Sequence, residues 1–366
     1  VLRSAFPNEM SAILVDDLSG AATFPGSMAV SFAGDILIGG RVLIGGGTQE
    51  EGANQSLLAF KRELTILASD VAELSSGIDA AIASVNAARE ALVQLEGKTV
   101  DLQSLLIKVD GITFLTDPVF GMRASMFSFA GPKRFAYTEW FDVSMLPRVD
   151  VVLLSHDHYD HLCYETMKAL MAQRTSSGLS FIAALGVGAH LEKWGVPASA
   201  ITELEWWQEQ EVGPVKLTFV PARHFTGRGP TNRFSTLWGS FVMEGKSKRL
   251  YFGADSGYSP TFKELGDRLG GFDLAMLECG AYSEFWPDIH MFPEETAKAA
   301  RDLRASVLMP IHWGKFALGL HPWKESIERV TVKAEEMGLP LLTPRIGRIV
   351  TTLDKSSSEQ WWEGLK

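Results

Sequence analysis

The stretch Ser155-His156-Asp157-His158-Tyr159-Asp160-His161 constrains this chain more than any other. It follows Val151–Leu154, a β-branched and apolar run that reads as a buried strand. Three of the chain's 8 histidines fall within this one short turn, a density that a solvated polar loop does not explain. Imidazole nitrogens and carboxylate oxygens suit zinc and similar first-row metals. The turn beyond a strand is also where α/β folds place their chemistry.

The same arrangement recurs downstream. Leu217–Val220 reads as a strand and runs into Pro221-Ala222-Arg223-His224. Arg249–Phe252 ends in Gly253-Ala254-Asp255, Leu274–Leu277 in Glu278-Cys279-Gly280, and Val307–Met309 in Pro310-Ile311-His312. Helices are predicted over 164–173, 294–303 and 323–337. Strand, polar residue and helix thus repeat, which brings His224, Asp255 and His312 towards the first cluster. Two divalent ions a few ångströms apart can activate a water and stabilise charge on both the attacked and the leaving oxygen. Each needs about three protein ligands and an open position. His156, His158 and His224 are expected to form one site and Asp160, His161 and His312 the other. Asp255 is expected to bridge them, with Asp160 counted as catalytic as well as ligating. Zinc is the expected metal, two per chain, although such a nitrogen and oxygen set also accepts manganese or iron.

Upstream, Leu105–Val109 and Ile112–Leu115 flank Asp110-Gly111, a strong hairpin signal. Thr116-Asp117-Pro118 ends the hairpin, and the Phe-, Met- and Ser-rich loop 119–135 reads either as a pocket wall or as a loop packed on the core. Arg228 and Lys315 read either as holders of an anionic substrate group or as solvated surface residues. His190 reads as a surface residue at a helix start, His321 as structural, and Trp361-Trp362 as a packing anchor.

Composition excludes several classes. A net charge of −10 argues against a broad nucleic-acid surface, because phosphate contacts need Lys and Arg. No apolar run is long enough to span a membrane, and the first residues lack a basic region followed by an apolar one. Cys163 and Cys279 are too few for a disulfide framework and read as packed thiols in a reducing compartment, so a cytoplasmic location is expected.

Four regions are expected. Residues 1–56 form a small β-rich piece, with strands at Ala12–Val15, Met28–Phe32, Asp35–Ile38 and Arg41–Ile44. Over 57–96, Leu57, Leu64, Val71, Ile78, Val85 and Leu92 recur every seventh residue, with Phe60, Leu67, Leu74, Ala81, Ala88 and Leu95 three later. That a/d pattern predicts a coiled-coil helix roughly 60 Å long and a partner helix, hence a possible homodimer. Residues 97–103 are the junction, and 104–366 carry the metal motif. The pieces Ala12–Leu18 and Phe32–Gly47, followed by the heptads, resemble the distal part of a structural-maintenance-of-chromosomes hinge and the start of its returning arm. Only a fragment matches, with no ATPase head.

From about Ser104 to the end, the His-x-His-x-Asp-His signature resembles the metallo-β-lactamase superfamily. Leu115-Thr-Asp-Pro-Val-Phe, Phe129-Ala-Gly-Pro-Lys-Arg-Phe, Arg223-His-Phe-Thr-Gly-Arg-Gly, Thr236-Leu-Trp-Gly-Ser and His312-Trp-Gly look most like the branch of N-acyl-phosphatidylethanolamine-hydrolysing phospholipase D and ascorbate-phosphate lactonases. The resemblance implies an α/β fold, an αββα sandwich with the metals at one edge. It also implies a catalytic role for His290, which precedes Pro293-Glu294-Glu295. Family members carry earlier strands and a Trp-x-Gly-His segment where this chain has Thr99-Val-Asp-Leu-Gln. The expected function is hydrolysis of a small-molecule or lipid ester, foremost a phosphodiester. A lactonase is the alternative, and an inactive coiled-coil interaction protein is the alternative of another class.

Overall fold

The computed structural model describes strands 12–15, 28–31, 36–38 and 41–43, residue 69, and residues 104–365 apart from 128, 137–141, 174–177, 352 and 354–357. The chain divides into two compact units, Val1–Arg89 and Glu90–Lys366.

In the first unit, β1 (Ala12–Val15), β2 (Met28–Ser31), β3 (Ile36–Ile38) and β4 (Arg41–Leu43) form one sheet in that order. β1 and β2 are parallel and the rest antiparallel. These strands fall where the short apolar runs predict them. The hinge-like resemblance rests on sequence alone. The coiled coil expected over 57–96 and the junction 97–103 lie, but for Ser69, outside the described residues.

The second unit begins with the predicted hairpin. β5 (Leu105–Val109) and β6 (Ile112–Thr116) pair with Val109 opposite Ile112. Asp110 and Gly111 take φ of 47° and 87°, the two left-handed residues of a type I′ turn, which Asp-Gly adopts at little cost. β7 (Val151–Leu154), β8 (Ser180–Ala184) and β9 (Ile201–Leu204) then add in parallel, giving the order β5-β6-β7-β8-β9. A second sheet holds β10 (Glu209–Val212), β11 (Val215–Val220), β12 (Ser240–Glu244), β13 (Arg249–Phe252), β14 (Leu274–Glu278) and β15 (Leu308–Ile311), in chain order. Its first four strands are antiparallel neighbours and its last three parallel. Pro310 lies in β15 because that strand is at the sheet edge, where a missing N–H breaks no ladder.

Period-two alternation assigns the faces. Phe219, Phe241 and Phe252 are cross-strand partners on β11, β12 and β13, and all belong to the core cluster shared with Phe114, Val152 and Phe181 of the first sheet. Their neighbours Val220, Val242 and Tyr251 point the other way, into a second cluster. That cluster includes Phe262 and Leu265 of α3 (Thr261–Leu269), Ala297 and Ala300 of α4 (Pro293–Asp302), and Ile327 and Val330 of α5 (Glu325–Glu336). Met167 and Leu170 of α1 (Tyr164–Ala172) and Leu191 of α2 (Gly188–Lys193) join the first cluster. Two mixed sheets packed face to face with helices against them make the expected α/β sandwich. Among the described residues no helix is long and apolar enough to cross a membrane.

Candidate metal centre

Strand direction puts the chemistry at one edge. β6 runs out into Asp117, β7 into Ser155–His161, β11 into His224, β13 into Asp255, β14 into Glu278 and β15 into His312. Each is a polar group at the end of, or just past, an apolar strand that the core fixes. Asp117, Ala254 and His312 hold left-handed backbone with φ of 37°, 48° and 61°, strain of the kind that packed surroundings sustain at functional sites.

All seven residues expected as ligands converge. His156, His158, His224 and Asp255 offer ligand atoms within 4.8 Å of one another, and so do Asp160, His161, Asp255 and His312. His156 Nε2 lies 2.9 Å from His158 Nδ1, and His224 Nε2 lies 3.2 Å from that same Nδ1. On the other side, His161 Nε2 and His312 Nε2 are 3.1 Å apart, and Asp160 Oδ2 is 3.1 Å from the latter. Asp255 belongs to both groups, with Oδ2 3.1 Å from His161 Nε2 and 3.6 Å from His224 Nε2, and Oδ1 3.2 Å from His312 Nε2.

These distances fit metal ions. Two nitrogens bound at about 2.05 Å to a tetrahedral ion stand about 3.3 Å apart, close to the observed spacings. Asp255 Oδ1 is buried with no hydrogen-bond partner among the described residues, a cost that a cation removes. The surrounding contacts orient the ligands. Asp117, fully buried, accepts from Ser155 N–H (2.8 Å), from Ser155 Oγ (2.5 Å) and from His161 Nδ1 (2.7 Å). Ser155 Oγ in turn lies 2.9 Å from His156 Nδ1. His224 Nδ1 donates to the Ile289 carbonyl (3.1 Å).

Electrostatics keep most of the candidate ligands in a form that could bind metal. Burial, reinforced by the neighbouring imidazoles, holds His156 well below the usual histidine range. Burial also lowers His158 and His224, against the pull of nearby carboxylates. Burial would raise Asp160 and Asp255, but the surrounding histidines outweigh it and hold both carboxyls well below their ordinary values. His161 goes the other way: burial opposes its charge, yet Asp255, Asp160 and Asp117 raise it well above the ordinary histidine value.

His290, expected to be catalytic, stands beside the ligands rather than among them. Its Nε2 is 4.0 Å from Asp255 Oδ2, and its ring is stacked 5.7 Å from His312. Its Nδ1 donates to Glu278 Oε1 at 3.2 Å, and Met291 N–H donates to the same oxygen at 2.8 Å. Burial opposes charge on His290, but Glu278 and then Asp255 raise it to about 9.

Other expectations divide. Lys315 is not a substrate holder facing solvent: it is 2% exposed and its Nζ donates to Ser104 Oγ at 3.2 Å. His190 sits in the first turn of α2, as expected of a helix-start residue, but it is half-buried, 3.5 Å from Asp157 Oδ2, rather than on the surface. His321 is structural as expected, stacked 3.9 Å from the Tyr282 ring. Trp362 is buried and Trp361 stacks on Trp313, as a packing anchor does. Cys163 and Cys279 are buried free thiols, pushed up by burial. Loop 119–135 is both things at once: Val119 is buried with Cys163 and Phe316, while Arg123, Ser125 and Met126 line a cleft. Asp117 and Glu278 were not singled out by sequence. The available signal was the one the ligands share, a carboxylate ending an apolar strand.

An edge of two facing sheets carrying two histidine sets and a shared aspartate defines the class. The beta-lactamase superfamily domain matches residues 113–313, and the chain belongs to that superfamily, as a metal-dependent hydrolase of its fold. Particular relatives lie within it. The chain is 42% identical over 260 residues to the uncharacterized protein Rv0906 of Mycobacterium tuberculosis, covering 70% of this chain and 68% of that one. It is 30% identical over 267 residues to N-acyl-phosphatidylethanolamine-hydrolyzing phospholipase D 1 of Caenorhabditis elegans, covering 69% and 74%. The isothiocyanate hydrolase from Delia radicum gut bacteria shares the fold, with a TM-score of 0.54 at 17% identity over 69% of this chain and 96% of that one.

Proposed function

We propose that the chain is a binuclear zinc hydrolase that cleaves a phosphodiester bond of a small-molecule or lipid substrate. The observation that carries this reading is Asp255, which lies within reach of both histidine sets. Bound divalent ions supply Lewis acidity and lower the pKa of water at the reacting centre. The chain's own residues do the rest. Asp255 ties the two sets together, and Asp160 adds a carboxylate on the His161 and His312 side. His290, protonated at neutral pH with its Nδ1 held by Glu278, presents its Nε2 side as a donor to a substrate oxygen, which stabilises charge as it develops. The phosphodiester is supported by the nematode relative, whose name gives it a phospholipid substrate. Zinc is supported by the predominance of imidazole in the ligand set.

The test is hydrolysis of bis(p-nitrophenyl) phosphate and of a γ-lactone in parallel, with His156→Ala and Asp255→Ala as controls. Phosphodiester turnover that both variants abolish supports the proposal. Lactone turnover alone, or near-normal rates in both variants, refutes it. Two further proposals rest on sequence: a cytoplasmic location, on the two unpaired cysteines, and a homodimer through Leu57–Leu95, on the heptads. Cell fractionation and sedimentation equilibrium test them in turn, and a membrane-bound or monomeric protein would refute the respective one.

A further inference from the structure

Beside the metal-binding turn lies a cleft of about 720 Å³ that none of the seven candidate ligands lines. Its walls include Arg123, Tyr159, His190, Lys193, Trp194 and Arg228, with Glu165 as the opposing charge. Three full cations and an imidazole against one carboxylate is a reversal of sign in a chain whose net charge is −10.

Arg228 is built into this cleft. Its Nη1 donates to the carbonyl oxygens of Asp157 (2.6 Å) and Leu162 (2.8 Å). Its guanidinium lies 3.8 Å from the Tyr159 ring centroid and 5.4 Å from that of Trp194. Neutral carbonyls and ring faces position the charge but do not neutralise it. Among the described residues neither Arg228 nor Lys193 has a carboxylate at salt-bridge distance. The buried Asp157 carboxylate attracts this half-buried guanidinium from beyond salt-bridge distance, so an anion arriving from solvent supplies the direct partner that burying a charge calls for. Arg and Lys together suit phosphate, the first through its planar fork and the second as a point charge.

We propose that this cleft binds a phosphate group, at a site separate from the metal centre. It needs no metal, and it stands or falls independently of the hydrolase reading. The site borders the catalytic turn, since Tyr159 lies between His158 and Asp160 and Arg228 holds the backbone of Asp157. A ligand there touches the turn that carries four of the ligands.

The test is calorimetric titration of inorganic phosphate into the full chain stripped of metal by chelation. Saturable one-site binding is expected. The Arg123→Ala/Lys193→Ala double variant should weaken it at least ten-fold, Lys193→Arg should restore most of it in the Arg123 background, and Asp255→Asn should leave it within two-fold. Where stripping unfolds the chain, the same comparison on the metal-loaded protein must show the double variant losing one of two phosphate-binding events. Absence of saturable binding overturns the proposal. So does binding that the double variant leaves unchanged, or that Asp255→Asn removes.

Discussion

Replacing Asp117 by Asn tests how the buried carboxylate behind the site governs metal affinity. Oδ1 of Asp117 accepts from the Ser155 backbone N–H, and Oδ2 accepts from both Ser155 Oγ and His161 Nδ1. An amide has one acceptor oxygen and one donor nitrogen. If the oxygen faces the Ser155 N–H, the amide nitrogen takes the place of Oδ2, 2.7 Å from His161 Nδ1. His161 must then carry its proton on Nε2, the atom it offers to metal. The Ser155 hydroxyl must also turn away from the amide, towards His156 Nδ1 at 2.9 Å, which pushes His156 towards the same unfavourable tautomer. One substitution thus disturbs a ligand in each set. Loss of such an orienting partner costs about 10- to 100-fold in metal affinity, or about 1.4 to 2.7 kcal/mol. If the amide flips instead, its nitrogen meets the Ser155 N–H, and the buried donor pair costs about 1 to 3 kcal/mol of stability. Competition with a chromophoric chelator reads the first outcome and chemical denaturation the second. Affinity within two-fold of the parent, together with stability within about 0.5 kcal/mol, would refute the reasoning.

Three further outcomes are expected. His161 holds a proton in the metal-free chain at pH 7, because its pKa is raised well above the ordinary value. Metal loading must displace that proton, so calorimetry in buffers of different ionisation enthalpy should read release of about one proton; no release, or uptake, contradicts this. Glu278→Gln removes the charge that raises His290 to about 9, so His290 loses its proton at lower pH and the alkaline limb of kcat/KM moves down by about one pH unit or more; an unmoved limb excludes His290 as the donor. Phe241 is fully buried, with its ring 4.9 Å from that of Phe219. Phe241→Ala should therefore cost about 3 to 5 kcal/mol and lower Tm by on the order of 10 °C; a loss below about 1 kcal/mol in chemical denaturation would contradict the face assignment.

The candidate ligands were legible because strand ends carry them: His156 after Val151–Leu154, Asp255 after β13, His312 after β15. The hairpin was legible because Asp110-Gly111 is a local signal with a local cause. Edge strand β10, Glu209–Val212, was not, since its exposed and half-buried residues show no apolar alternation. Helix α3 follows Pro260 and stops at Gly270 with φ of 80°; in so short a segment, periodicity has little room to show. Asp117 read only as part of Thr116-Asp117-Pro118, which ends the hairpin, because an aspartate before proline is common where a strand gives way to a turn. Its role as the partner of Ser155 and His161 exists only once β6 and β7 are neighbours. Lys315 was misplaced for the same reason, since its partner Ser104 lies 211 residues away in the chain. Local patterns report which residues end strands. They carry little information on which strands lie side by side, and the contacts behind the ligands depend on that.

Metal content per chain, measured by mass spectrometry on protein purified without added metal and again after zinc is supplied, tests the central claim most directly. Two ligand sets that share Asp255 predict about two ions per chain, falling below one in Asp255→Ala. A content near zero that zinc does not raise would contradict the claim, because the ligands would then stand together without holding an ion.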